Sequence, residues 1–72
     1  MLFRSVDTML RLGEAYLKRG DHAAAMKEYQ KVLEREPKNA EAYCNLGEAY
    51  LSLKQYHEAI ENFERADRKS VV

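Results

Sequence analysis

The chain has 72 residues, 46% of them apolar, with twelve Lys and Arg balanced by twelve Asp and Glu for a formal net charge of zero. That length allows one small domain, which buries only about 60% of the surface its unfolded chain exposes; the charge balance removes the main argument for a nucleic-acid or anionic-membrane partner. The lone Cys44 cannot close a disulfide within the chain, the start Met1-Leu2-Phe3-Arg4-Ser5 lacks the apolar centre of a signal peptide, and no apolar run approaches the ~20 residues that cross a bilayer, so neither nucleic acid nor membrane is an expected partner and a cytoplasmic setting is compatible but not specified.

In chain order, Met9, Leu12, Gly13 and Tyr16 keep helical spacing and predict a first helix over about 7–19, with Asp7 suited to its first turn and Lys18 and Arg19 to its last. Gly20-Asp21 supplies a stop and an N-cap. Ala25, Tyr29, Val32 and Leu33 then predict a second helix over about 22–35, closed by Pro37-Lys38-Asn39, which breaks the chain and caps the next helix. Tyr43, Leu46, Gly47 and Tyr50 predict a third helix over about 40–53 with Glu41 in its first turn. Tyr56, Ala59, Ile60, Phe63 and Ala66 predict a fourth over about 56–67. Lys54 stands where the first turn has Gly20, so the second inter-helix turn is less firmly specified. The expected fold is all-α, two tandem antiparallel helix-turn-helix hairpins, with small residues at Gly13, Gly47, Ala25 and Ala59 letting helices approach while Tyr16, Tyr29, Tyr50 and Phe63 fill the remaining space.

The halves repeat. Shifted by 34 residues, Leu12-Gly13-Glu14-Ala15-Tyr16-Leu17 falls on Leu46-Gly47-Glu48-Ala49-Tyr50-Leu51, and the same shift sets Ala25 on Ala59, Met26 on Ile60, Tyr29 on Phe63, Met9 on Tyr43 and His22 on Tyr56. On Leu12, Gly13, Tyr16, Ala25, Tyr29 and Pro37, then Leu46, Gly47, Tyr50, Ala59, Phe63 and Ala66, the chain resembles the tetratricopeptide repeat family. The departures are Met9 and Tyr43 at the usual tryptophan or aromatic position, Lys54 at the turn glycine, and no proline closing the second unit. The resemblance implies one repeat at 6–39 and a second, incomplete one at 40–66, within a longer α-solenoid.

Beyond Ala66 the register stops, with Asp67-Arg68-Lys69-Ser70 facing Leu33-Glu34-Arg35-Glu36 and Val71 facing Pro37. Residues 1–5 and 67–72 also read as translated sequencing adapters, GTG-CTC-TTC-CGA-TCT and GAT-CGG-AAG-AGC-GTC-GTG, so both ends are expected to be non-native and the chain a metagenomic fragment. The alternative is a natural frayed start and a basic tail.

The resemblance also implies a concave groove lined mainly by the first helix of each hairpin, where peptides bind. Residues there outside the packing signature are Asp7, Leu10, Arg11, Glu14, Leu17 and Lys18, then Glu41, Cys44, Asn45, Glu48, Leu51 and Ser52. Four carboxylates, two basic groups and apolar Leu10, Leu17 and Leu51 suit an amphipathic or somewhat basic ligand; an ordinary solvated helix face is the alternative. Asn45 occupies a position like one in the chaperone carboxylate clamps of some relatives, but Leu10 and Glu14 replace the other clamp groups and Glu41 and Glu48 would repel a carboxylate. Ile60 and Phe63 on the last helix form an expected edge for self-association, since a repeat array normally covers them with a following unit.

No phosphate-binding glycine loop, nucleophile elbow or zinc-protease helix occurs, and His22, His57 and Cys44 lack metal-ligand spacing. No catalytic, cofactor-binding or metal-binding residue is therefore assigned, and no enzyme activity or cofactor is expected. The expected function is a scaffold module binding a protein or peptide; the alternatives are structural self-assembly, or a regulatory appendage of an enzyme outside this chain.

Overall fold

The computed structural model describes residues 5–68, and these form four helices: α1 Val6–Lys18, α2 His22–Arg35, α3 Ala40–Ser52 and α4 Tyr56–Arg68. The expected boundaries are met to within one residue at every helix end. Residues 1–4 and 69–72, most of the two ends expected to be non-native, lie outside the described residues.

Local chemistry explains each boundary. Ser5 Oγ accepts from Thr8 N–H at 3.1 Å, Asp21 Oδ1 from Ala24 N–H at 3.3 Å and Asn39 Oδ1 from Ala42 N–H at 2.9 Å, so three of the four helices begin with a side chain satisfying an orphan donor. The α2–α3 link is braced further, because Asn39 Nδ2 donates to Glu36 Oε1 at 2.8 Å and Tyr43 Oη donates to the Pro37 carbonyl at 3.0 Å.

The two inter-helix turns are built alike despite their different sequences. Gly20 N–H donates to the Leu17 carbonyl at 3.0 Å and Asp21 N–H to the Tyr16 carbonyl at 2.9 Å; one repeat later, Lys54 N–H donates to Leu51 and Gln55 N–H to Tyr50, both at 2.9 Å. Gly20 has φ +83° and Lys54 φ +64°, so the lysine adopts the left-handed conformation that glycine takes freely, at a cost of about 1–2 kcal/mol. Burial of the flanking helices holds the turn where local preference does not.

Each hairpin closes through a glycine lying under an aromatic ring. A Cβ at Gly13 would stand 2.5 Å from Tyr29 Cε1, and one at Gly47 would stand 2.7 Å from Phe63 Cε1. The hairpins then pack through α2 and α3, with Met9, Leu10, Ala25, Tyr29, Val32, Ala42 and Leu46 as one buried cluster. The whole measures 36 × 31 × 14 Å. Its thin dimension is little more than one helix diameter of about 10–12 Å, so every helix keeps a solvent face.

Candidate functional site

The inner face of α1 and α3 is shaped by residues that are core on one side and groove on the other. Two expected groove residues belong to the core instead. Leu10 is only 4% exposed and packs in the buried cluster, because α1 presents one stripe to α2 and a second stripe to α3. The expectation treated only the first stripe as packing. Asn45 is likewise buried, at 9% exposure.

The remaining groove candidates sit at the surface. Asp7, Arg11, Lys18, Glu41, Glu48, Leu51 and Ser52 are exposed, while Glu14, Leu17 and Cys44 are half-buried. Arg11 is shared between Asp7 Oδ1 at 3.6 Å and Glu14 Oε1 at 3.7 Å. These pairs lie in solvent and are worth a few tenths of a kcal/mol each. His57 is exposed and His22 half-buried. Among the described residues, no three His, Cys, Asp or Glu side chains gather to hold a metal ion, and no helix is long and apolar enough to cross a membrane.

What the structure adds is a polar centre beneath this face. Tyr29 is wholly buried, its hydroxyl lies beside the Asn45 amide, and neither Tyr29 Oη nor Asn45 Nδ2 closes a bond of good hydrogen-bonding geometry. Burial raises the Tyr29 phenol well above its ordinary value, and Glu14, Glu48 and Glu41 raise it further; the Asn45 amide opposes them weakly. Glu14 on α1 and Glu41 and Glu48 on α3 thus all lie near enough to act on the Tyr29 hydroxyl. Burial also raises the Cys44 thiol, again reinforced by Glu48 and Glu41, so at neutral pH it is protonated and a poor nucleophile.

Sequence reasoning placed Tyr29 as packing, which its full burial bears out, and did not anticipate Asn45 beside its hydroxyl. It also missed Glu28 and Asn62, 34 residues apart and both buried, at 6% and 7% exposure. Glu28 pairs with Lys31 Nζ at 3.5 Å, while Asn62 Nδ2 donates to the Glu58 carbonyl at 2.8 Å. A shared polar type one position before the core aromatic was the available signal.

At the open end of the second hairpin, Ile60 and Tyr56 are each 55% exposed. Phe63, the other residue of the expected self-association edge, is less exposed. It turns inward over Gly47, is half-buried, and lines a cleft between α3 and α4 together with Cys44 and Ala66. The inward turn is possible because Gly47 leaves room for a ring.

Comparison with known proteins agrees with this architecture. A TPR repeat model matches residues 13–54, more than half of the chain, and a Tetratricopeptide repeat model matches residues 41–69. The chain is 34% identical over 62 residues to the Anaphase-promoting complex subunit CDC16 of Saccharomyces cerevisiae, covering 86% of this chain and 7% of that protein. It is 40% identical over 57 residues to Tetratricopeptide repeat protein 14 of Mus musculus, covering 79% of this chain and 7% of that protein. The chain thus spans about 7% of the length of either relative.

Proposed function

The chain belongs to the tetratricopeptide repeat family, whose repeats mediate protein–protein interaction and are non-catalytic modules, and on that premise we propose that its inner face binds a helical or extended protein segment carrying basic groups. The observation that carries this reading is that the contacting helices α1 and α3 present half-buried Glu14 and exposed Glu41 and Glu48, all near enough to act on the buried Tyr29 hydroxyl. Several carboxylates of one sign on adjacent helices attract a cation more strongly than a single one does, an attraction that salt screens. Exposed Leu51 and half-buried Leu17 flank them and offer apolar contact to the same segment. The groove set of Asp7, Arg11, Glu14, Leu17, Lys18, Glu41, Cys44, Glu48, Leu51 and Ser52 keeps its place in this proposal, while Leu10 and Asn45 act from below as support.

The test is fluorescence anisotropy with paired synthetic amphipathic peptides of one apolar pattern, bearing either Lys and Arg or Glu on the polar face. Basic peptides are expected to bind more tightly, with affinity falling as salt rises. Glu14→Gln with Glu48→Gln is expected to weaken them about tenfold, or about 1.4 kcal/mol, without loss of helicity. Equal capture of basic and acidic peptides, or an unchanged double variant, would sink the assignment.

A second reading, self-assembly, is favoured by the exposed apolar Ile60 and Tyr56 on the outer side of α4.

A further inference from the structure

The 34-residue shift that relates the two hairpins sets Asp7 on Glu41, Arg11 on Asn45 and Glu14 on Glu48. Each hairpin's first helix therefore carries an acidic pair on one face, its members about two helical turns apart. In the first hairpin the pair is filled. Arg11 Nη2 lies 3.6 Å from Asp7 Oδ1 and Arg11 Nη1 lies 3.7 Å from Glu14 Oε1, so one guanidinium serves both carboxylates through separate nitrogens. In the second hairpin the acids remain and the cation is gone. Among the described residues no ion pair reaches Glu41 or Glu48, and both are exposed.

The difference belongs to α3 itself and not to the limits of the chain. Asp7 and Glu14 take their cation from their own helix, although the second hairpin already packs beside them. Asn45 stands on α3 where the arginine would. It is buried, at 9% exposure, and its Nδ2 closes no hydrogen bond of good geometry. The amide opposes the rise of the Tyr29 phenol, which only a donor to that oxygen does. Nδ2 is thus the end nearer the phenol, and Oδ1, an acceptor, is the end left to meet another donor.

We propose that Glu41, Asn45 and Glu48 form an arginine-selective site, in which a guanidinium of the bound segment bridges the two carboxylates as Arg11 bridges Asp7 and Glu14. This rests on the reading of the inner face as a groove for a basic segment, and names the side chain that the groove selects. A guanidinium is planar and carries five N–H donors in a fixed fork, enough for both carboxylates and the Asn45 oxygen together. A lysine ammonium is a compact point charge and cannot reach two separated carboxylates in the same way. Charge directs the arginine to α3. On this face α1 carries Asp7, Arg11, Glu14 and Lys18, which cancel, whereas α3 carries only Glu41 and Glu48.

The test uses the full chain and two amphipathic peptides of one apolar pattern, one with every basic residue arginine and the other with every basic residue lysine. Fluorescence anisotropy is expected to show the arginine peptide binding about tenfold more tightly. Glu41→Gln with Glu48→Gln is expected to abolish that preference at unchanged ellipticity at 222 nm, since both side chains are exposed. Asp7→Asn with Glu14→Gln, which removes the pair that Arg11 already fills, is expected to leave the preference in place. Arg11→Gln vacates the first pair, so a second arginine of the same peptide finds acceptors and binding is expected to strengthen. Equal affinity for the two peptides, or a preference that survives loss of Glu41 and Glu48, would overturn this site while the basic-segment groove stood. Capture of neither peptide would overturn both.

Discussion

Replacing Gly13 with alanine tests the packing argument at its tightest point. Two effects oppose each other. Alanine favours helix over glycine by about 1 kcal/mol, which alone would stabilise α1. Against this, the new Cβ would lie 2.5 Å from Tyr29 Cε1 and 2.7 Å from Tyr29 Cζ, about 1 Å inside ordinary contact. Tyr29 is wholly buried between α1 and the second hairpin, so its ring has nowhere to swing and the helices must part. Overpacking of this kind costs typically 1–3 kcal/mol, and the upper part of that range, about 2–3 kcal/mol for a ring with nowhere to swing, leaves a net loss of about 1–2 kcal/mol. For a chain of this size, that is a fall in Tm of roughly 4–16 °C. Gly47→Ala creates a similar clash, at 2.7 Å from Phe63 Cε1, but Phe63 is only half-buried and can yield toward the open cleft. Thermal unfolding followed by circular dichroism should therefore show the larger loss for Gly13→Ala. A neutral or stabilising Gly13→Ala, or a larger loss for Gly47→Ala, would refute the reasoning that ring confinement sets the cost.

The second turn and the polar centre each carry a further stability prediction. Lys54→Gly relieves a left-handed φ of +64° and is expected to raise stability by about 1 kcal/mol in urea unfolding, whereas an unchanged midpoint would mean the turn is unstrained. Tyr29→Phe removes a buried hydroxyl without a well-formed hydrogen bond and is expected to leave stability at neutral pH within about 1 kcal/mol of wild type or above it. The same substitution should change the alkaline limb. The folded phenol is raised above the ordinary value of 10.0, so the folded state holds its proton more tightly. Tyr29 therefore contributes stability below pH 10 that is lost as pH climbs above it. The difference between wild type and Tyr29→Phe should change only on that limb, and a difference flat with pH would contradict the raised phenol.

Helix positions were legible because period and punctuation agreed: Gly20-Asp21 and Pro37-Lys38-Asn39 mark the turns, and Asp21 and Asn39 do cap α2 and α3, whereas Ser5, which caps α1, was read as part of a non-native end. The Lys54 turn was less legible because a left-handed lysine has no local signature; only the matched hydrogen bonds of the flanking helices hold it. Leu10 and Asn45 were misplaced for a different reason. A helical wheel identifies one apolar stripe, but α1 and α3 each serve two seams, one within the hairpin and one between hairpins. The second seam includes Asn45, whose polarity marks it as surface in any single-helix reading. Phe63 over Gly47 was legible in the repeat, which sets a ring against a small residue in the second hairpin as it sets Tyr29 against Gly13 in the first.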